Sequence, residues 1–87
     1  MAVRVEFFGL VRKHAGVECV EIEADSLGTA LMQLAADLPG LSNACIDGDR
    51  LRGGFIANIN GNAFVTDPST AIEPGDSLLI LSADMGG

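Results

Sequence analysis

Asp76-Ser77-Leu78-Leu79-Ile80-Leu81, followed by Ser82-Ala83-Asp84-Met85 and a closing Gly86-Gly87, is the stretch on which the fold of this 87-residue chain turns. Four consecutive apolar residues between Asp76 and Ser82 read as a buried strand, launched by the turn Glu73-Pro74-Gly75-Asp76. The two glycines after it carry no side chain and accept almost any backbone torsion. An end of that kind can thread a channel too narrow for other residues, which makes the terminal carboxylate a candidate reactive group.

Working outward, Val3, Val5 and Phe7 alternate with Arg4, Glu6 and Phe8 as a strand with one apolar face, ended by Gly9. Segment 18–25 alternates again, and 10–17 connects the two as an antiparallel pair. Ser26 is placed to cap a helix in which Leu27, Ala30, Leu31, Leu34, Ala35 and Leu38 recur at helical spacing until Pro39-Gly40 stops it. Segment 41–54 is rich in Asp, Gly and Arg and reads as a connection with at most a short helical turn. Phe55, Ala57 and Ile59 alternate with Ile56, Asn58 and Asn60 as a third strand; Asn60-Gly61 favours a tight turn, and 63–66 reads as a short strand beyond it. The order predicts an α+β chain forming one domain over 1–87. A mixed sheet of four to five strands has the first and last side by side and parallel in its middle, and one main helix covers one face. Residues 83–87 follow as a flexible tail. This is a β-grasp, or ubiquitin-like, arrangement.

Alternation also divides the apolar residues between the two faces of the sheet. If Val3, Val5, Phe7, Leu78 and Ile80 meet the helix, then Phe8, Leu79 and Leu81, with Phe64, point to the uncovered side. Exposed apolar patches of this kind mark partner sites. Glu6 and Asp84 would add electrostatic steering.

Hydrophobic residues make up 48% and charged residues 20%, the composition of a globular chain. The net charge is -7, with Arg4, Arg12, Lys13, Arg50 and Arg52 as the only cations, so nucleic acid is excluded as a direct partner and a basic protein surface is favoured. The N-terminus lacks the apolar core of a signal peptide and no run is long enough to span a bilayer, so a soluble, cytoplasmic protein with no membrane partner is expected. Cys19 and Cys45 stand in no metal-ligand or redox spacing and read as reduced packing residues. His14 is the sole histidine, which rules out a His-based triad or a His-rich metal site. Asp47-Gly48-Asp49 lacks the other ligands of a calcium loop, and Gly53-Gly54 lacks the Lys-Ser/Thr of a phosphate loop. The chain is expected to hold no metal or cofactor and to carry no catalytic group of its own.

Three motifs resemble the MoaD and ThiS family of ubiquitin-like sulfur carriers. Phe7-Phe8-Gly9-Leu10-Val11-Arg12-Lys13-His14-Ala15-Gly16 is similar to the family's first strand and following turn. Gly75-Asp76 looks like its turn before the last strand, and Gly86-Gly87 like its terminal pair. Length and the 41–54 segment resemble the MoaD branch, although MoaD-like members carry Pro-Pro where this chain has Ser82-Ala83-Asp84-Met85.

The resemblance implies that an E1-like adenylating enzyme, using ATP and magnesium, activates the Gly87 carboxylate, with Gly86 giving access. A desulfurase or rhodanese-like donor then supplies sulfur to form a thiocarboxylate. It also implies that partner enzymes bind the face bearing Phe8, Phe64, Leu79 and Leu81. The leading expectation is the small subunit of a molybdopterin synthase, seated in the large subunit. A ThiS-like carrier for thiazole, a carrier serving a tRNA base or an amino-acid route, and a ubiquitin-like protein modifier remain open. So does a β-grasp interaction module without sulfur chemistry.

Overall fold

A computed structural model describes residues 2–86. In chain order the elements are β1 (Val3–Phe7), α1 (Leu10–Ala15), β2 (Cys19–Ile22), α2 (Leu27–Asp37), α3 (Pro39–Cys45), β3 (Ile46–Asp47) and β4 (Arg50–Leu51). They continue with β5 (Phe55–Ile59), β6 (Ala63–Val65), β7 (Ser77–Ser82) and a 3-10 turn over Ala83–Gly86. The five-stranded sheet runs β2-β1-β7-β5-β6, with β1 and β7 parallel at its centre and the other pairings antiparallel. This is the mixed β-grasp sheet expected from the element order.

One face of the sheet is the core. Val3, Val5 and Phe7 of β1 and Leu78 and Ile80 of β7 are buried, while Arg4 and Glu6 between them are exposed. Against this face α2 lays Leu27, Ala30, Leu31 and Leu34, all fully buried. Burying each leucine contributes about 2 kcal/mol. Ser26 caps α2 as its sequence suggests, its Oγ accepting the Thr29 N–H at 3.1 Å. Two further donors of the first turn are met from the 68–70 segment, Leu27 N–H by Thr70 O and Gly28 N–H by Pro68 O.

The two segments expected as connections, 10–17 and 41–54, hold more structure than that reading gives them. Segment 10–17 contains α1, whose Val11 is buried in the core and whose end is closed by Gly16 at φ 78, its N–H donating to Arg12 O. Helix α2 ends before Pro39 as expected, Leu38 being driven out of the helical region by the proline that follows it, and Pro39 then occupies the first turn of α3, where its missing N–H costs no hydrogen bond. Leu41, Cys45 and Ile46 then extend the core, and Gly48 at φ 66 turns the β3-β4 hairpin. Helices α1 and α3 meet at Gly40, where an added Cβ would stand 2.5 Å from the His14 carbonyl oxygen.

Candidate functional site

Among the described residues no helix lies across the other face of the sheet, and strand register decides which side chains share it. One row runs across Cys19, Glu6, Leu79, Asn58 and Phe64, each opposite the next. Leu81 and Ile56 pair in the next row. Phe8 extends β1 by one residue, its N–H donating to Ile80 O at 3.1 Å, which carries its ring to the same face beside Leu81. Leu79, Leu81 and Ile56 are half-buried, whereas Phe8 is 49% and Phe64 64% exposed. The four residues Phe8, Phe64, Leu79 and Leu81 thus fall on one surface. Ile56 belongs with them, since it stands opposite Leu81 on β5.

Asn58 sits in the middle of that surface and is the residue sequence reasoning missed. Neighbouring residues of a strand face opposite ways, so with Ala57 in the core Asn58 points to the open side. It is nevertheless 94% buried, since only 6% of it is exposed, and its Oδ1 has no hydrogen-bond partner among the described residues. A buried polar atom without a partner is uncommon in a folded protein.

Around the apolar centre the charge is mainly negative. Glu6 and Glu21 are exposed on this face and Asp84 is exposed in the turn after β7, while Arg4, on the same face, lies 3.5 Å from Glu6. Cys19, half-buried opposite Glu6, is at the edge of the patch, while Cys45 is inside the core, where burial raises its thiol pKa and keeps it protonated.

The parallel pairing of β1 and β7 puts Phe8 and Leu81 at the same end of the sheet, and the chain leaves from that end. Ala83 N–H donates to Gly54 O at 2.7 Å, and Ala83–Gly86 form the 3-10 turn. The chain thus leaves the sheet at the end that carries Phe8 and Leu81; Gly87, the expected reactive residue, lies outside the described residues. A shallow hollow of about 450 Å³ at the other side of α1, lined by Arg12, Lys13 and Glu18 among others, brings no acid-base pair with it beyond the Arg12–Glu18 ion pair at 3.1 Å. Among the described residues no group of three His, Cys, Asp or Glu side chains is placed to hold a metal ion. No helix there is long and apolar enough to cross a membrane.

No protein-family model matches the chain, and no curated protein does. Solved structures do. CysO of Mycobacterium tuberculosis, described as an antigen, is 30% identical, with a TM-score of 0.75 over 93% of this chain and 98% of that one. The chain belongs to the MoaD/ThiS family of ubiquitin-like sulfur carriers. Within the family, the small archaeal modifier protein 1 of H. volcanii is 25% identical, with a TM-score of 0.74 over 93% of this chain and 95% of that one. A putative molybdopterin converting factor, subunit 1, of Pyrococcus furiosus shares the fold at 19% identity, with a TM-score of 0.73 over 94% and 97% of the two chains.

Proposed function

We propose that this chain is a sulfur carrier whose working group is the Gly87 carboxylate. The observation that carries the reading is the shared end of the sheet: an enzyme that covers Phe8, Leu81 and Ile56 sits where the chain leaves β7 on its way to the closing glycines. A carboxylate is a poor electrophile, because its charge repels nucleophiles and oxide is a bad leaving group. An E1-like partner using ATP and magnesium supplies the activation. One carboxylate oxygen attacks the α-phosphorus, pyrophosphate leaves, and an acyl-adenylate results. The outer sulfur of a persulfide on a desulfurase or rhodanese-like donor displaces AMP to give an acyl disulfide. A thiol then cleaves its S–S bond, becoming a disulfide with the donor sulfur and releasing the thiocarboxylate, a good sulfur nucleophile.

The acceptor we propose is a molybdopterin precursor, with this chain acting in the cytoplasm as the small subunit of a molybdopterin synthase. Support comes from the chain length, the segment between α2 and β5, and the likeness to the Pyrococcus furiosus molybdopterin converting factor subunit. A second reading, that Gly87 is joined to lysines of other proteins, is favoured by the likeness to a small archaeal modifier protein. A third keeps the sulfur chemistry and changes the acceptor, as the absence of the Pro-Pro pair of MoaD-like members before the tail favours.

Intact mass of the protein co-expressed with its adenylating enzyme and sulfur donor separates carrier from modifier. Exchange of one terminal oxygen for sulfur supports the carrier, and a branched Gly87-lysine peptide supports the modifier. Continued ATP consumption by the adenylating enzyme with Gly87 deleted would overturn both.

A further inference from the structure

Asn58 occupies a position where a strand with one open face would ordinarily place an aliphatic or threonine residue. Its neighbours on that face, Leu79 and Phe64 across the strands and Ile56 along its own, are apolar, and they bury it without offering a donor to Oδ1. Among the described residues nothing donates to this buried oxygen, and an unpaired buried acceptor is costly. A partner that covered the face with apolar side chains alone would leave it worse off, because the remaining solvent would be removed. A partner that brings a donor relieves it, so the amide discriminates between the two.

We propose that Asn58 is a specificity-determining residue of the open face, and that the enzyme docking there places a cationic N–H donor, from arginine or lysine, on Asn58 Oδ1. The cationic character follows from the rim. Among the described residues of β1 and β2 on this face, Glu6 and Glu21 outnumber Arg4, which is itself paired with Glu6, and the chain carries a net charge of -7, so the field over the face favours a positive side chain. The torsion that turns an asparagine amide is broad and easily rotated, which lets Oδ1 swing toward the arriving group. Phe8 and Phe64, both well exposed, supply the apolar contact around it.

The inference rests on the carrier reading, and the adenylating enzyme encoded by the same organism is the probe. AMP formation is followed against carrier concentration for the wild type, Asn58→Leu and Asn58→Asp, each first checked for folding by circular dichroism and thermal denaturation. Asn58→Leu, which removes the unpaired atom while keeping similar volume, is expected to melt no lower than the wild type. Its KM should rise about tenfold, the loss of one hydrogen bond to a charged donor, with kcat changed less than about twofold. Asn58→Asp keeps the acceptor and adds charge toward the cation, so its KM should equal or fall below that of the wild type.

A wild-type KM for Asn58→Leu overturns the proposal. So does an Asp variant as weak as the Leu variant, since that outcome requires a donor that is not cationic. Should Asn58→Leu fail to fold, Asn58→Asp decides alone: an unchanged or lowered KM supports the proposal and a raised one overturns it. A wild-type protein that the enzyme does not adenylate fails the carrier reading itself, and the inference with it.

Discussion

Asn60 Nδ2 donates to Asp76 Oδ1 at 2.9 Å and so ties the turn after β5 to the turn that launches β7. The link is reciprocal. Asn60 Oδ1 accepts the Ser77 N–H and Asp76 Oδ2 accepts the Glu73 N–H, each at 2.8 Å. Asn60 has a positive φ of 56, a conformation that asparagine tolerates better than most residues. This small network fixes where the central strand begins.

Removing the Asp76 carboxylate should therefore lower stability in a pH-dependent way. Its pKa is lowered first by the Asn60 side-chain hydrogen bond and then by the Glu73 N–H. A folded-state pKa below the unfolded one gives a contribution that is present above the unfolded value of about 4 and is lost as pH falls through the folded value. Asp76→Ala should melt below the wild type at neutral pH, and the gap should close on acidification. A gap that stays constant down to the acid limit would contradict this assignment.

Gly40→Ala should destabilise the protein, against the usual helix preference. Alanine in a helix is ordinarily favoured over glycine by about 1 kcal/mol. Here the new methyl would meet the His14 carbonyl, and backbone offers little room to give. A loss of about 1–3 kcal/mol in urea denaturation is expected, the range for overpacking. Gly53→Ala, with open space around the added carbon and no positive φ, serves as the control.

Ser26→Ala should cost about 1 kcal/mol, the ordinary value of an N-cap. The Thr29 N–H loses its acceptor, while the Leu27 and Gly28 donors keep theirs in Thr70 and Pro68. Chemical denaturation measures the loss, and a cost well above this would mean that the 68–70 segment is released as well.

The two faces of the sheet should separate under mutation. Leu34→Ala, fully buried, should lower stability by about 2–5 kcal/mol. Phe64→Ser should change stability by less than about 0.5 kcal/mol because its ring is largely in solvent, yet, if the proposed adenylating enzyme docks on this face, raise that enzyme's KM about tenfold. Equal stability losses for both variants would remove the distinction.

Local chemistry made part of this legible in the sequence. The alternation over Val3–Phe7, the Ser26 cap and the turn before Ser77 are written in neighbouring residues, and each stands where expected. Helices α1 and α3 are not local in that sense: Val11 and Leu41 become core residues only because the two helices approach through Gly40, a contact between distant segments. Phe8, Leu79 and Leu81 follow from alternation alone. Ile56 and Asn58 join them through the β5-β7 register, which no strand spells out by itself, and a polar residue such as Asn58 reads as solvated until its neighbours are known.

Strand β7 is hydrogen-bonded along both sides, to β1 in parallel and to β5 in the opposite direction. Tension applied to the tail runs along that strand and strains both rows together, so the bonds share the load rather than opening one after another. Pulling the first and last strands apart by their outer ends slides them lengthwise for the same reason. A tail anchored in this manner can be drawn into another protein, bent there and released without unravelling the domain from which it hangs.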